Sequence, residues 1–83
     1  MDSLDKTTLF DITGLQDALV ETTLDEVKDA IVEKGYDPVS QIVGYLVSGD
    51  KSYITTYKDA RKKIESIERG KILEAIVRNY LDN

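Results

Sequence analysis

The sequence predicts an all-α fold: a compact bundle of four to five short helices with a flexible N-terminal tail, forming a homodimer. Three observations lead there. Apolar residues recur at helical spacing through most of residues 15–81. The single proline and several of the five glycines fall between those periodic runs. The one stretch that alternates like a strand, around Thr8, Phe10 and Ile12, has no evident partner strand.

Residues 1–14 show no helical period and end at Gly14, so they read as a flexible regulatory tail preceding one helical domain over 15–83. The first helix has a capping-box signal, Thr23 as N-cap and Glu26 three residues on. Leu24, Val27, Ala30 and Ile31 then share a face, and Gly35 ends the helix after Lys34. Leu15, Ala18 and Leu19 fit the same period, so helix can begin earlier, with the β-branched Thr22-Thr23 pair as its weak point. Asp37-Pro38 opens the second helix as cap and first residue. Its apolar positions are Val39, Ile42, Val43 and Leu46, and Ser48-Gly49-Asp50 ends it. Gly44 inside that helix costs about 1 kcal/mol relative to Ala, which points to another backbone packed closely on it. Tyr53-Ile54 reads as a buried corner. Thr55 or Thr56 caps a third helix carrying Tyr57, Ala60, Ile64 and Ile67. Gly70 breaks the pattern before a last helix with Leu73, Ile76, Val77, Tyr80 and Leu81. Helices this short are marginal alone, and 83 residues offer a limited core, so a second copy is expected to supply buried surface.

Composition narrows the function. The chain has neither cysteine nor histidine, which removes disulfides, thiol nucleophiles, Ser-His-Asp triads and the usual metal ligands. Carboxylate pairs such as Asp25/Asp29 and Glu65/Glu68 fall on polar helix faces, where solvation is the ordinary state. No catalytic residue, metal site or cofactor is expected. The five tyrosines, near apolar stripes or turns, read as packing residues. The N-terminus lacks the features of a signal peptide, and no apolar run approaches a membrane span, so a cytoplasmic protein is expected. A net charge of −5 disfavours nucleic acid as a partner. The helix, Ser48-Gly49-Asp50 turn and helix keep a helix-turn-helix DNA-binding regulator open as an alternative, beside an interaction module that needs no phosphorylation.

The charge is unevenly spread. Residues 1–37 hold ten acids against three lysines, whereas residues 57–71 hold six cations, Lys58 and Arg61 among them, against three acids. Ordinary solvated helix faces explain such a pattern, and so does partner selection by charge. Thr7 and Thr8 sit in the tail, accessible to a kinase. A phosphate there adds a charge of about −1.5 to −2 at pH 7.

The run Glu33-Lys34-Gly35-Tyr36-Asp37-Pro38, then Gln41-Ile42-Val43-Gly44-Tyr45-Leu46, Ser48-Gly49-Asp50, Tyr53-Ile54 and Lys58-Asp59-Ala60-Arg61, closely resembles the IreB/ReoM family of small bacterial regulators. Asp5-Lys6-Thr7 with Phe10, and Ile67-Glu68-Arg69 with Tyr80-Leu81, match as well. The resemblance implies a helical homodimer, substrate of a PASTA-type membrane Ser/Thr kinase and of its phosphatase. It implies a brake on peptidoglycan synthesis, with consequences for antibiotic resistance. The unphosphorylated form would promote Clp-protease turnover of UDP-N-acetylglucosamine enolpyruvyl transferase, and phosphorylation would relieve it. The family's acceptor threonine falls on Thr7, and Leu4 stands where some members carry a further acceptor. The family's basic patch at the start of the third helix falls on Lys58 and Arg61, the expected partner-binding residues. Thr55-Thr56-Tyr57 stands where the family has Pro-Arg-His.

Overall fold

The helix ends marked by Gly35, Asp37-Pro38 and Gly49 lie where the sequence places them. In a computed structural model, which describes residues 12–82, the elements are α1 (Ile12–Glu33), α2 (Pro38–Ser48), α3 (Ala60–Glu65) and α4 (Arg69–Asp82). Two single-turn 3-10 segments, Lys51–Tyr53 and Tyr57–Asp59, lie between α2 and α3. No strand occurs among the described residues. Asp37 caps α2: its Oδ2 accepts from Ser40 N at 2.8 Å and from Ser40 Oγ at 2.7 Å, and Pro38 follows it into the first turn. Those bonds hold the Asp37 carboxyl below its usual range, the Ser40 hydroxyl contributing most. Gly35 at φ +86° and Gly49 at φ +78° supply the left-handed residues that end α1 and α2. Gly49 also leaves room for the Arg69 guanidinium, which a Cβ would meet at 2.8 Å.

Helix α1 departs from expectation. It runs unbroken for 22 residues through Thr22-Thr23, so Thr23 is an interior residue and not a cap. Residues 12–14, assigned to the tail from sequence, lie in its first turn. The cost of two β-branched residues is below ~1 kcal/mol each. Burial of Val20 on one side of them and Val27 on the other favours continuity. Helix α4 likewise starts before Gly70 and contains it. The third helix is shortened to six residues, and Ile67 lies beyond its end. Neither Thr55 nor Thr56 caps the third helix, whose cap position is Asp59; Thr55 Oγ1 instead accepts from Tyr57 N at 3.1 Å, a local turn bond two residues long.

The core gathers Val20, Val27, Ala30 and Ile31 of α1, Tyr45 and Leu46 of α2, Ile54, Ala60 and Ile64, and Ile72 and Ala75 of α4. Helix α1 is the spine, packing against α3 and α4. A two-pronged ion pair ties its N-terminal half to α4: Arg78 Nε donates to Asp17 Oδ2 at 2.9 Å and Nη2 to Oδ1 at 3.2 Å. At the expected buried corner Ile54 is fully enclosed, while Tyr53 stays partly exposed. Its ring lies over Gly44, so a side chain and not a backbone fills the space that glycine leaves.

Two faces expected inside are outside. On α2 the inward residues are Ile42, Tyr45 and Leu46, and Val39, Val43 and Val47 form an exposed stripe. On α4 only Ile72 and Ala75 are buried. Leu73, Ile76, Val77, Tyr80 and Leu81, the expected core face, are exposed on this single chain. Of the five tyrosines only Tyr45 is buried.

Candidate functional site

The two basic residues predicted to meet a partner flank one short segment. Lys58 lies in the 3-10 turn Tyr57–Asp59 and Arg61 in the first turn of α3. That segment is unusual in its backbone. Lys58 at φ 53° and Asp59 at φ 60° are consecutive left-handed residues, and neither is glycine. Such residues cost about 1–2 kcal/mol each unless neighbours over-determine them. The neighbours here are backbone hydrogen bonds, Asp59 N to Thr56 O and Arg61 N to Thr55 O, both 3.0 Å, and the last residue of α1.

That residue is Glu33. Its Oε1 accepts from the Tyr57 hydroxyl at 2.9 Å and its Oε2 from Lys58 Nζ at 3.2 Å. The Tyr57 hydrogen bond, then the one from Lys58, holds the Glu33 carboxyl below its usual range. The same carboxylate raises the Lys58 ammonium above its own. Lys34 and Lys58 both stand near the Tyr57 ring, at 5.2 and 5.4 Å from its centroid. Lys58 is thus exposed but already paired. The pair is solvated and worth little as stability. Its effect is geometric: it fixes the turn against α1.

Arg61 is held differently. Its Nε donates to Ile54 O at 2.8 Å, which anchors the head of the side chain beside the 49–56 connection. Its terminal nitrogens have no hydrogen-bond partner among the described residues. They border an open groove of about 350 Å³ walled by Tyr36, Gln41, Tyr53, Thr55 and Thr56. Gln41 Nε2 donates to Tyr53 O at 2.9 Å and ties the start of α2 to that wall. Among the described residues, no acidic one lines the groove. Arg61 also acts on Asp50, whose carboxyl is held low first by the Ser52 hydroxyl and least by Arg61.

The rest of the basic segment is largely engaged inside the molecule. Lys63 pairs with Glu26 of α1 at 3.3 Å, Lys71 with Glu74 at 3.9 Å, and Arg69 Nη1 donates to Leu46 O at 3.0 Å. Part of the charge asymmetry seen in the sequence is therefore α1 meeting α3. Glu33, Tyr57 and Gln41 are not marked as site residues by the sequence. Their roles come from contacts across 12 to 25 residues, which no local pattern encodes.

Thr7, the expected phosphorylation site, lies outside the described residues. Helix-turn-helix geometry is not formed: residues 49–59, with two 3-10 turns, separate α2 from α3, where that motif needs a turn of about 3–4 residues. No helix among the described residues is long and apolar enough to cross a membrane, and none of their acidic side chains cluster as a metal site would need. The chain matches the family model described as IreB regulatory phosphoprotein over residues 5–82.

Proposed function

The chain belongs to the IreB regulatory phosphoprotein family, and from that membership we propose that it is a non-enzymatic, cytoplasmic regulator of peptidoglycan precursor synthesis, switched by phosphorylation of Thr7. The carrying observation is the family match over nearly the whole chain, a span that includes both Thr7 and the basic segment. In this reading a PASTA-type Ser/Thr kinase and its phosphatase set the modification. The unphosphorylated form engages the Clp protease or enolpyruvyl transferase machinery through the segment carrying Lys58 and Arg61 and promotes turnover of the transferase. A phosphate on Thr7 adds negative charge to the acidic N-terminal half, which competes for that segment or repels the partner. The protein acts as a homodimer, a reading supported by the uncovered apolar face of α4.

Intact mass and site mapping after incubation with the kinase and ATP test the switch. One phosphate on Thr7 is expected. No phosphate, with the kinase active on a control substrate, removes the reading. In cells, Thr7→Ala should act as a permanent brake, with lowered transferase and raised β-lactam sensitivity. Unchanged levels of both would contradict it.

A further inference from the structure

Lys58 and Arg61 enter the proposed function together, but their surroundings separate them. The Lys58 ammonium already has a carboxylate, Glu33, and an incoming anion would have to displace it. The Arg61 guanidinium spends one N–H on Ile54 O and, among the described residues, its terminal pair has no partner and no acid lines the groove beside it. A guanidinium fixed at Nε presents the two parallel donors that match a planar carboxylate. Tyr36, Tyr53, Thr55 and Thr56 line the same groove and bring aromatic and hydroxyl-bearing side chains to its walls.

Resting on the proposed partner contact, we propose that the Arg61 groove receives one side-chain carboxylate of a partner polypeptide, with an adjoining apolar or aromatic side chain against Tyr36 and Tyr53, and that Lys58 is a positioning residue that holds the turn. The groove carries a single cation. That matches one monoanionic carboxylate. Phosphorylated segments are more often met by clusters of arginines. Asp50 is the negative counterweight: its field reaches Arg61 and weakens anion binding there. Lys58, Glu33 and Tyr57 act through geometry, because α3 and Arg61 follow directly from the left-handed pair they hold in place.

The test is a titration of the isotope-labelled full chain at neutral pH with phenylpropionate, a carboxylate bearing a phenyl ring, followed by NMR. Phenylpropanamide, its neutral analogue, and phosphothreonine are run in parallel. Saturable shifts are expected at the Arg61 side chain, Tyr36, Gln41 and Thr55 with the carboxylate and not with the amide. Arg61→Gln should weaken the probe by about tenfold or more. Asp50→Asn keeps an oxygen for Ser52 and should tighten it, a gain that unfolding cannot mimic. Lys58→Met removes a charge that Glu33 already neutralises and should weaken the probe by clearly less than Arg61→Gln does, through looser placement of the turn.

Shifts centred on Lys34 and Lys58, equal binding of the amide, or no saturable shift would overturn the assignment. So would a Lys58→Met loss as large as that of Arg61→Gln, or tighter binding of phosphothreonine than of the carboxylate in the groove. Each of these leaves phosphorylation at Thr7, read by mass, untouched. Conversely, a chain the kinase ignores could still bind the probe, so the two readings fail separately.

Discussion

Gly44 shows how one side chain sets a helix's fit. Alanine is the better helix residue by about 1 kcal/mol. Yet a Cβ on Gly44 would lie 2.4–2.8 Å from the Tyr53 ring. The ring must move, and Gln41 holds the backbone that carries it. Gly44→Ala is therefore expected to destabilise by about 1–3 kcal/mol, as overpacking does. Adding Tyr53→Ala should recover part of that loss by freeing the helix-propensity gain, and urea unfolding of the two variants measures both effects. That Gly44 faces a close neighbour was legible from its cost inside a helical run. That the neighbour is an aromatic ring nine residues away in a 3-10 turn was not, because nothing local fixes where Tyr53 points. Arg61 was readable as a cation near the start of the third helix, but its different surroundings from those of Lys58 depend on Glu33, a residue of another helix.

The turn before α3 concentrates backbone strain in two residues. Asp tolerates the left-handed region better than β-branched residues do. Asp59→Val should cost about 1–3 kcal/mol, whereas Asp59→Gly should be neutral within about 1 kcal/mol, since relief of strain offsets greater freedom of the unfolded chain. Chemical denaturation distinguishes these outcomes, and a Val variant as stable as the parent would deny the left-handed geometry. Across the elements, legibility follows the range of the interactions. Asp37-Pro38, Gly35 and Gly49 mark helix ends through contacts within a few residues, and all were readable. The continuity of α1 through Thr22-Thr23, the inclusion of Gly70 in α4 and the shortening of α3 were not. There, small propensities yield to burial of Val20, Val27, Ile64 and Ile72 against distant partners. Helical periodicity gave the helices but not the face each turns inward, because α2 and α4 each carry apolar residues on more than one side.

At the scale of the molecule, charge and apolar surface pull in different directions. Asp17, Glu33, Asp37 and Asp50 all have folded-state pKa values below their usual range, each chiefly through hydrogen bonds. A lowered pKa means the folded state binds protons less readily than the unfolded one. Its stabilisation is present above the ordinary carboxylate range of about 4 and is lost as pH falls through the depressed values. Tyr45 is raised, first by burial, and Lys58 and Arg78 are raised by their acidic partners. Their contribution is present below the ordinary values and lost as pH rises through the raised ones, beyond about 10. Thermal midpoints should thus be flat between those limits and fall outside both, with Asp17→Asn blunting the acid limb. Within that plateau the proposed homodimer turns on the uncovered faces. Leu73, Val77, Tyr80 and Leu81 are exposed along α4 although their spacing is that of a buried stripe. A second copy would bury them, and each large apolar side chain removed from water contributes about 1.5–3 kcal/mol. A charge at Val77, half exposed on the single chain, would be stranded in such an interface while leaving the Ile72 and Ala75 contacts intact. Val77→Glu should weaken self-association by about tenfold or more with helicity unchanged. Sedimentation equilibrium of the two proteins, with circular dichroism alongside, reads both. A parent chain that sediments as a monomer at all concentrations, or a Val77→Glu dimer as tight as the parent, would show that this face of α4 does not join two copies.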